Sequence, residues 1–514
     1  MNQNRPFRTN SALMIQGTSS SVGKSVLAAA LCRIFYQEGY LTCPFKAQNM
    51  ALNSFVTING GEMGRAQVVQ AQAAGREPDV LMNPILLKPT GQASSQVIIL
   101  GKPQGNLSAM RYHGEYQRKT WPIVQECLQK LIKENEILII EGAGSPAEVN
   151  LKQNDIVNMR VAMEIKAPVL LVADIDRGGA LASVVGTLEL VEPEERTLVK
   201  GIILNKFRGD IKLLQPALDF LTQKTGIPVL GVIPYYLDFS IPEEDSVVLD
   251  KEKVNGPIAD SLQMLDIAII RLPFISNFTD FDALTDEPDV QLRYVKKAED
   301  LGNPDLVILP GSKNTLTDLG FLHKSGLAVK LKQRWLDSGP IIGICGGYQM
   351  MGRLVRDPYH TESNLEEISG LNILPMETEF HPEKHTVQSQ GIITGNNLFL
   401  KRCQGQQIIG YEIHMGRSFA DKGTNTLFNL SANDSYYADG LQAGSAMGTY
   451  LHGIFDNDNL RRSLLEWLWE LKGKKRPVEN TTSQAALREI AFNQLADLVR
   501  RNLDLPALRA IMGL

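Results

Sequence analysis

Between an apolar run, SALMIQG (11–17), and a stretch of helical spacing from Lys24 to Gln37, the chain reads GTSSSVGKS. Few sequence features restrict a fold as tightly. A loop of small residues between a strand and a helix turns successive backbone N–H groups inward as an anion nest, and the helix N-terminus adds its dipole. Lys24 then reaches the outer phosphates of a nucleotide, and the Ser25 hydroxyl can ligate Mg²⁺. Gly17 and Gly23 enclose one residue more than the usual G-x-x-x-x-G-K-[ST] loop, but GKS keeps the strand–loop–helix context. Gly17, Thr18, Gly23, Lys24 and Ser25 are the expected nucleotide loop. Such a loop by itself names no reaction.

The residues that follow repeat the same rhythm. ILIIEGAG, PVLLVADI and VKGIILNKF each read as a buried strand ending in a polar or Gly-rich loop, and GIPVLGVIP follows a helical stretch. This alternation predicts a parallel α/β sheet, in which ligands collect at the carboxyl ends of the strands. The strand ends supply the candidates. Glu141 is the expected Mg²⁺ acid, with Asp174 and Asp176 competing for that role. Asn205, before Lys206, offers an amide to a purine edge or makes a polar turn. Lys46, ending YLTCPFK, touches a phosphate or is a surface lysine.

A chain of 514 residues needs more than one such unit. Charge, Pro and Gly rise over 240–262, and a second strand series then begins with DIAIIRLP, DLVILPGS and PIIGICGG. The expected division is a P-loop domain (1–240), a linker (241–262), a second α/β domain (263–460) and a helical C-terminal segment (461–514) that docks through Trp467, Leu468, Leu495 and Leu498. The formal charge of -5 and pI near 5.9 give no reason to expect nucleic acid or a membrane surface as partner. MNQNRPFRTNSALMIQG has no apolar core of signal-peptide length, and the apolar runs fall short of a membrane span. Five scattered cysteines argue against a disulfide framework. A cytoplasmic protein is the expectation.

PIIGICGGYQMMG (340–352) is the second strong signal. An apolar strand runs into Cys345, and Gly346-Gly347 opens a helical pattern, the logic of a nucleophile elbow. The flanking glycines permit a strained turn, the helix N-terminus favours thiolate, and the Gly346 N–H can stabilise an oxyanion. A second donor is expected from the PGS loop, at Gly311. Cys32, Cys43, Cys127 and Cys403 lack this context and read as packing residues. A thiolate site needs a base: His452 in GTYLHGIF is favoured over His414 in GYEIHMGRS. His381 and His385 have i, i+4 spacing that suggests metal ligands, but Pro382 and Glu383 favour a mobile loop. Ile454, two after His452, supplies no third carboxylate.

A nucleotide site and a thiolate site in one chain suggest a linked reaction. A thiolate that hydrolyses glutamine releases ammonia, and a carboxylate activated by ATP can accept it. At this point FKAQNMALNSF (45–55), EMGRAQ (62–67), MNPILLKP (82–89), EGAGSPAEVNL (141–151), DIDRGG (174–179), ILPGSKNT (308–315), GICGGYQM (343–350) and GYEIHMGRS (410–418) carry a specific resemblance. The N-terminal half resembles dethiobiotin-synthetase-like P-loop ATPases. The C-terminal half resembles class I glutamine amidotransferases, and the whole resembles their cobyrinate-amidating family. The resemblance implies ATP- and glutamine-dependent amidation of the b, d, e and g carboxylates of adenosylcobyrinic acid a,c-diamide, with ATP, Mg²⁺, glutamine and a corrinoid as small-molecule partners and no protein-bound cofactor. It implies Cys345 as nucleophile, His452 as base, and Lys24, Ser25, Glu141 and Lys46 at the nucleotide. It also implies a subgroup that lacks the usual Glu two after the His, and corrinoid contacts within 47–90, where packing is an equal reading.

Two rivals remain at the level of sequence. One is an a,c-diamide synthase of the same family, against which KAQNMALNSF and MNPILLKP weigh. The other is a partition-type P-loop switch, against which the Cys345 elbow weighs.

Overall fold

The computed structural model describes residues 10–90, 94–108, 117–236, 263–433, 435–478 and 482–514. The polar N-terminal nine residues and the expected linker at 241–262 lie outside the described residues.

The first domain is built on a six-stranded parallel sheet in the order Val229–Pro234, Val199–Phe207, Val169–Asp174, Ser11–Gly17, Ile137–Glu141, Thr42–Phe45. Its central strands are buried on both faces, which is why they read as continuous apolar runs rather than alternating ones. The helix Lys24–Gln37 starts after Gly23, whose φ of 97° is left-handed and suits glycine. Between Thr42–Phe45 and Ile137–Glu141 the chain forms a small side structure. It includes an antiparallel hairpin (Ser54–Val56 with Glu62–Gly64), followed at once by the helix Arg65–Ala73.

The second domain continues the parallel theme. Strands Val290–Val295, Leu265–Ile270, Leu306–Leu309, Ile341–Ile344 and Ala446–Thr449 run parallel, and antiparallel strands extend the sheet beyond them. Two long strands, Met376–Ile393 and Gln407–Ala420, pair over most of their length. The expected mobile loop at HPEKH is corrected here: His381 to His385 lie within the Met376–Ile393 strand. A register shift between Phe380 and His385 absorbs Pro382, which has no N–H for a ladder bond.

The C-terminal segment divides between the two domains. The helix Asp458–Leu471 puts Leu460, Leu464, Leu465, Leu468 and Trp469 into the second domain's core. The helix Gln484–Asn502 is capped by Ser483, whose Oγ accepts from Ala486 N. Its Phe492, Leu495, Ala496 and Val499 are buried in the first domain's core, and Arg33 binds Glu489 and Asn493 beside them. The two helical stretches therefore close the chain back onto its beginning. Among the described residues no helix is long and apolar enough to cross a membrane.

Candidate active site

At the nucleotide loop, the structure gathers the predicted residues around Glu141. Ser25 Oγ donates to Glu141 Oε1 at 2.7 Å and Lys46 Nζ donates to the same oxygen at 2.8 Å. Gln67 and Gln70 donate to Oε2 at 3.2 and 2.6 Å. Burial works to raise the pKa of Glu141, but Lys46, Gln70 and Ser25 override it and hold the carboxyl below its ordinary value. Lys46 is thus a buried partner of an ionised acid. Asp174 pairs instead with Lys206 at 3.1 Å, and Asp176 with Arg208 at 3.3 Å, so neither meets Ser25. The donor set of a hydroxyl and a carboxylate is one of hard oxygens and fits Mg²⁺, which takes few protein ligands and completes its shell with water and phosphate.

Lys24 Nζ donates to Ser19 O at 2.9 Å and Gly144 O at 3.0 Å, tying the loop to the EGAG strand end. A Cβ on Gly17 would come within 2.6 Å of Val22 and 2.9 Å of the Lys24 Nζ, so the loop closes only around glycine. Asn205 is fully buried beneath the loop, with its Nδ2 donating to Val22 O at 2.8 Å. Its position braces the loop from below, and its buried Oδ1 has no hydrogen-bond partner among the described residues.

The second site forms at the carboxyl ends of the second sheet. Cys345 ends the strand Ile341–Ile344 with φ 51° and ψ -108°, a left-handed backbone that a side-chain-bearing residue adopts at a cost of about 1–3 kcal/mol. Its N–H donates to Thr449 O at 2.8 Å, and its Sγ lies 3.7 Å from Ile413 O. Gly347 permits the turn, because a Cβ there would sit 2.1 Å from Leu309 O. A Cβ on Gly346 would meet Ser312 N at 2.8 Å, and one on Gly311 would meet His452 Cε1 at 3.1 Å. The PGS loop is therefore pressed against both the elbow and the imidazole.

His452 is buried and held by paired backbone hydrogen bonds with Tyr411 (His452 N to Tyr411 O at 2.9 Å), and the two rings stack at 5.2 Å. Its Nδ1 is 2.6 Å from Asp280 Oδ2, and Asp280 Oδ1 accepts from Gly453 N at 3.1 Å. Burial opposes charging the imidazole. The Asp280 carboxylate and the Cys345 sulfur, each by charge and by hydrogen bond, outweigh it and raise the pKa of His452 from 6.5 to about 10. Asp280 was not anticipated from sequence. Its signal was available: FTDFD follows the strand Leu265–Ile270, at a sheet's carboxyl end where functional side chains gather. Ile454 is buried in the core, away from any polar role.

His414 lies on the other side of its strand. Its Nδ1 donates to Gly416 O at 2.8 Å, its ring stacks on Tyr450, and its Nε2 is 3.4 Å from Glu412 Oε2. His385 joins that group across the strand pair, while His381 pairs with Glu379 at 3.4 Å. The two histidines of HPEKH therefore belong to different surroundings. The other four cysteines are buried, and burial pushes Cys43 to about 12 and Cys127 to about 11.

Fold and sites together define a P-loop nucleotide-binding domain joined to an amidotransferase domain with a cysteine at a strand–helix elbow. Residues 13–248 match the family described as the CobQ/CobB/MinD/ParA nucleotide binding domain, and residues 266–460 the CobB/CobQ-like glutamine amidotransferase domain. The chain is 69% identical to cobyric acid synthase of Desulfitobacterium hafniense over 98% of each chain. It is 58% identical to that of Moorella thermoacetica over 98% of this chain and 97% of the other, and 50% identical to that of Carboxydothermus hydrogenoformans over 98% and 99%. The chain belongs to the cobyric acid synthase family. It is an enzyme of glutamine-dependent, ATP-driven amidation in cobalamin synthesis.

Proposed function

We propose that the chain converts adenosylcobyrinic acid a,c-diamide to adenosylcobyric acid by amidating the b, d, e and g carboxylates, with ammonia drawn from glutamine. The observation that carries this reading is the coexistence of the Cys345–His452–Asp280 array with the Ser25–Glu141–Lys46 cluster in a chain whose relatives at 50–69% identity are named for this synthase.

The Cys345 thiolate attacks the carboxamide carbon of glutamine, and the Gly346 and Gly311 N–H groups stabilise the oxyanion. His452, charged by its two neighbours, gives its proton to the departing ammonia. Water then attacks the thioester with His452 as base, and glutamate leaves. In the first domain the Gly17–Ser25 loop holds ATP, Lys24 moves onto the outer phosphates, and Lys46 steadies charge on the phosphoryl group passing to the substrate carboxylate. Ammonia displaces phosphate from the resulting acyl phosphate. Ser25 and Glu141 would hold Mg²⁺, which neutralises phosphate charge. Asn205 serves the nucleotide site by bracing Val22. On this reading the synthetase chemistry belongs to residues 1–240 and the glutaminase chemistry to residues 263–460.

The test is a mass-spectrometric count of amidations on supplied a,c-diamide with ATP and glutamine. Successive exchanges of OH for NH₂ up to all four positions are expected. An unchanged a,c-diamide, or activity confined to the a and c carboxylates of cobyrinic acid, would assign another reaction.

Asp280 takes the place of the missing glutamate as the positioning residue for His452. Asp280→Asn is expected to lower glutamine hydrolysis by about 10²-fold, less than in a serine triad because a thiolate–imidazolium pair is already ionised before substrate arrives. The raised His452 pKa also has a stability consequence. It lies above the unfolded value of 6.5, so its stabilisation is complete below pH 6.5 and is lost as pH rises through about 10. The melting-temperature deficit of Asp280→Asn should therefore be large near pH 6.5 and close toward pH 10. A deficit independent of pH would break the assignment.

A further inference from the structure

The segment 53–70 touches both sites at once. At one end it meets the second domain. Asn53 Oδ1 accepts from Phe278 N at 3.0 Å, and Ser54 N donates to Asn277 Oδ1 at 3.1 Å. These two bonds straddle the start of the short helical turn Phe278–Phe281, the turn that carries Asp280. Asn277 itself has a left-handed φ of 52°, so its conformation depends on what holds it. Tyr411 closes the arrangement. Its hydroxyl donates to Ser54 O at 3.3 Å and accepts from Asn277 Nδ2 at 3.3 Å, while its ring stacks on His452. Asn53 and Ser54 are completely buried, and Asn277 and Asp280 nearly so. Buried polar groups of this kind are held to one geometry, because losing a partner leaves another group unsatisfied.

At the other end the same segment meets the nucleotide site. The hairpin strand Glu62–Gly64 runs without interruption into the helix Arg65–Ala73, and that helix carries Gln67 and Gln70 onto Glu141. Gln70 Nε2 also lies 3.3 Å from Ser25 O, the backbone of the nucleotide loop. Between the ends, Glu62 is fully buried and pairs with Lys88 of its own domain at 2.9 Å and with Lys384 of the second domain at 2.6 Å. Arg65 lies over the Phe55 ring, which in turn packs on Tyr411. Hairpin and helix therefore form one braced piece between Glu141 and Asp280.

We propose that residues 53–70 are a coupling element, in which Asn53 and Ser54 of the first domain position the Asp280–His452 pair of the second, so that glutamine hydrolysis answers to the nucleotide site. This rests on the glutaminase reading of Cys345. It assigns positioning residues that touch no substrate. The reacting groups of the thiolate site all come from the second domain, yet the turn bearing Asp280 is pinned from the first. A change at Glu141 on nucleotide binding has a continuous path of buried hydrogen bonds and packed rings to the imidazole.

The experiment uses the full-length enzyme and compares wild type with Asn53→Ala. Three rates are measured: glutamine hydrolysis without ATP, the same with Mg·ATP, and amidation with saturating ammonium. Wild type is expected to hydrolyse glutamine faster with Mg·ATP. Asn53→Ala should lower kcat for glutamine hydrolysis by about tenfold, lose the acceleration by Mg·ATP, and keep ammonium-supported amidation within about twofold. Tyr411→Phe is the second variant. It keeps the ring on His452 and removes only the bridging hydroxyl, so it should lose about threefold in glutamine hydrolysis with the fold intact. Hydrolysis unchanged in both variants, or a parallel fall in ammonium-supported amidation, would overturn the coupling. A wild-type enzyme that fails to hydrolyse glutamine would instead overturn the glutaminase reading beneath it.

Discussion

Replacing Cys345 by alanine will abolish glutamine-supported amidation, by about 10⁴-fold or more, while amidation supported by ammonia continues. The size of the loss follows from the role: without the thiolate there is no covalent step, and what remains is the uncatalysed attack of water on an amide. The selectivity follows from the geometry. Cys345 lies on the second sheet, beside Ile413, Thr449 and His452, whereas the nucleotide loop, Glu141 and Lys46 are all on the first domain. Alanine keeps the Cβ and meets the same left-handed backbone at φ 51° that cysteine already bears. The elbow should therefore stay folded, and the melting temperature should change little. The assay is paired rates with glutamine and with ammonium on the same preparation. Persistent glutamine-supported amidation would remove Cys345 from the chemistry.

Replacing Lys24 by alanine should remove turnover with either nitrogen donor, by about 10³-fold, and leave glutamine hydrolysis itself in place. Lys24 is buried and its ammonium is bonded to the carbonyls of Ser19 and Gly144, both of which are loop positions at the sheet's carboxyl end. It thus sits where incoming phosphates would compete for it, and an ammonium exchanges two neutral carbonyls for anionic oxygens with a net gain. Its loss acts on the activation of the carboxylate, a step common to both nitrogen donors. Turnover with ammonium at the wild-type rate would sink the assignment. The two variants thus divide the reaction: one loses the nitrogen source, the other loses the acceptor.

The local devices were legible in the residues themselves. GTSSSVGKS and PIIGICGG carry their geometry as composition, because a nest needs small residues and a strained elbow needs glycines beside it. The strands of the first sheet were readable for a similar reason. A strand buried on both faces must be apolar throughout, and a polar or glycine residue marks its end. The choice of Glu141 over Asp174 and Asp176 was not readable, since all three acids end strands. Both the Glu141 strand and the Asp174 strand flank Ser11–Gly17, so strand order alone does not separate them; side-chain packing does, setting Glu141 against Ser25 and Lys46 and Asp174 against Lys206.

Other features had no local mark at all. HPEKH looked like a loop because Pro382 forbids a regular ladder bond, and the structure accommodates it with a bulge inside a long strand. The C-terminal helices gave an amphipathic pattern but no address: Asp458–Leu471 buries its apolar face in the second domain's core, and Gln484–Asn502 returns to bury its own in the first.

The chain's residues alone mark two candidate reagents, a glycine-rich strand–helix loop and a cysteine at a strand–helix elbow, because each is made by neighbours in sequence obeying backbone and hydrogen-bond rules. Which groups serve those reagents is another matter. Asp280 and His452 stand 172 positions apart, and Asn53 and Phe278 stand 225 apart. Their meeting depends on strand order and on how one domain lies against the other. Neither leaves a spacing to be read, since a side chain's long-range partner is chosen by the packing of whole sheets and not by its own neighbours.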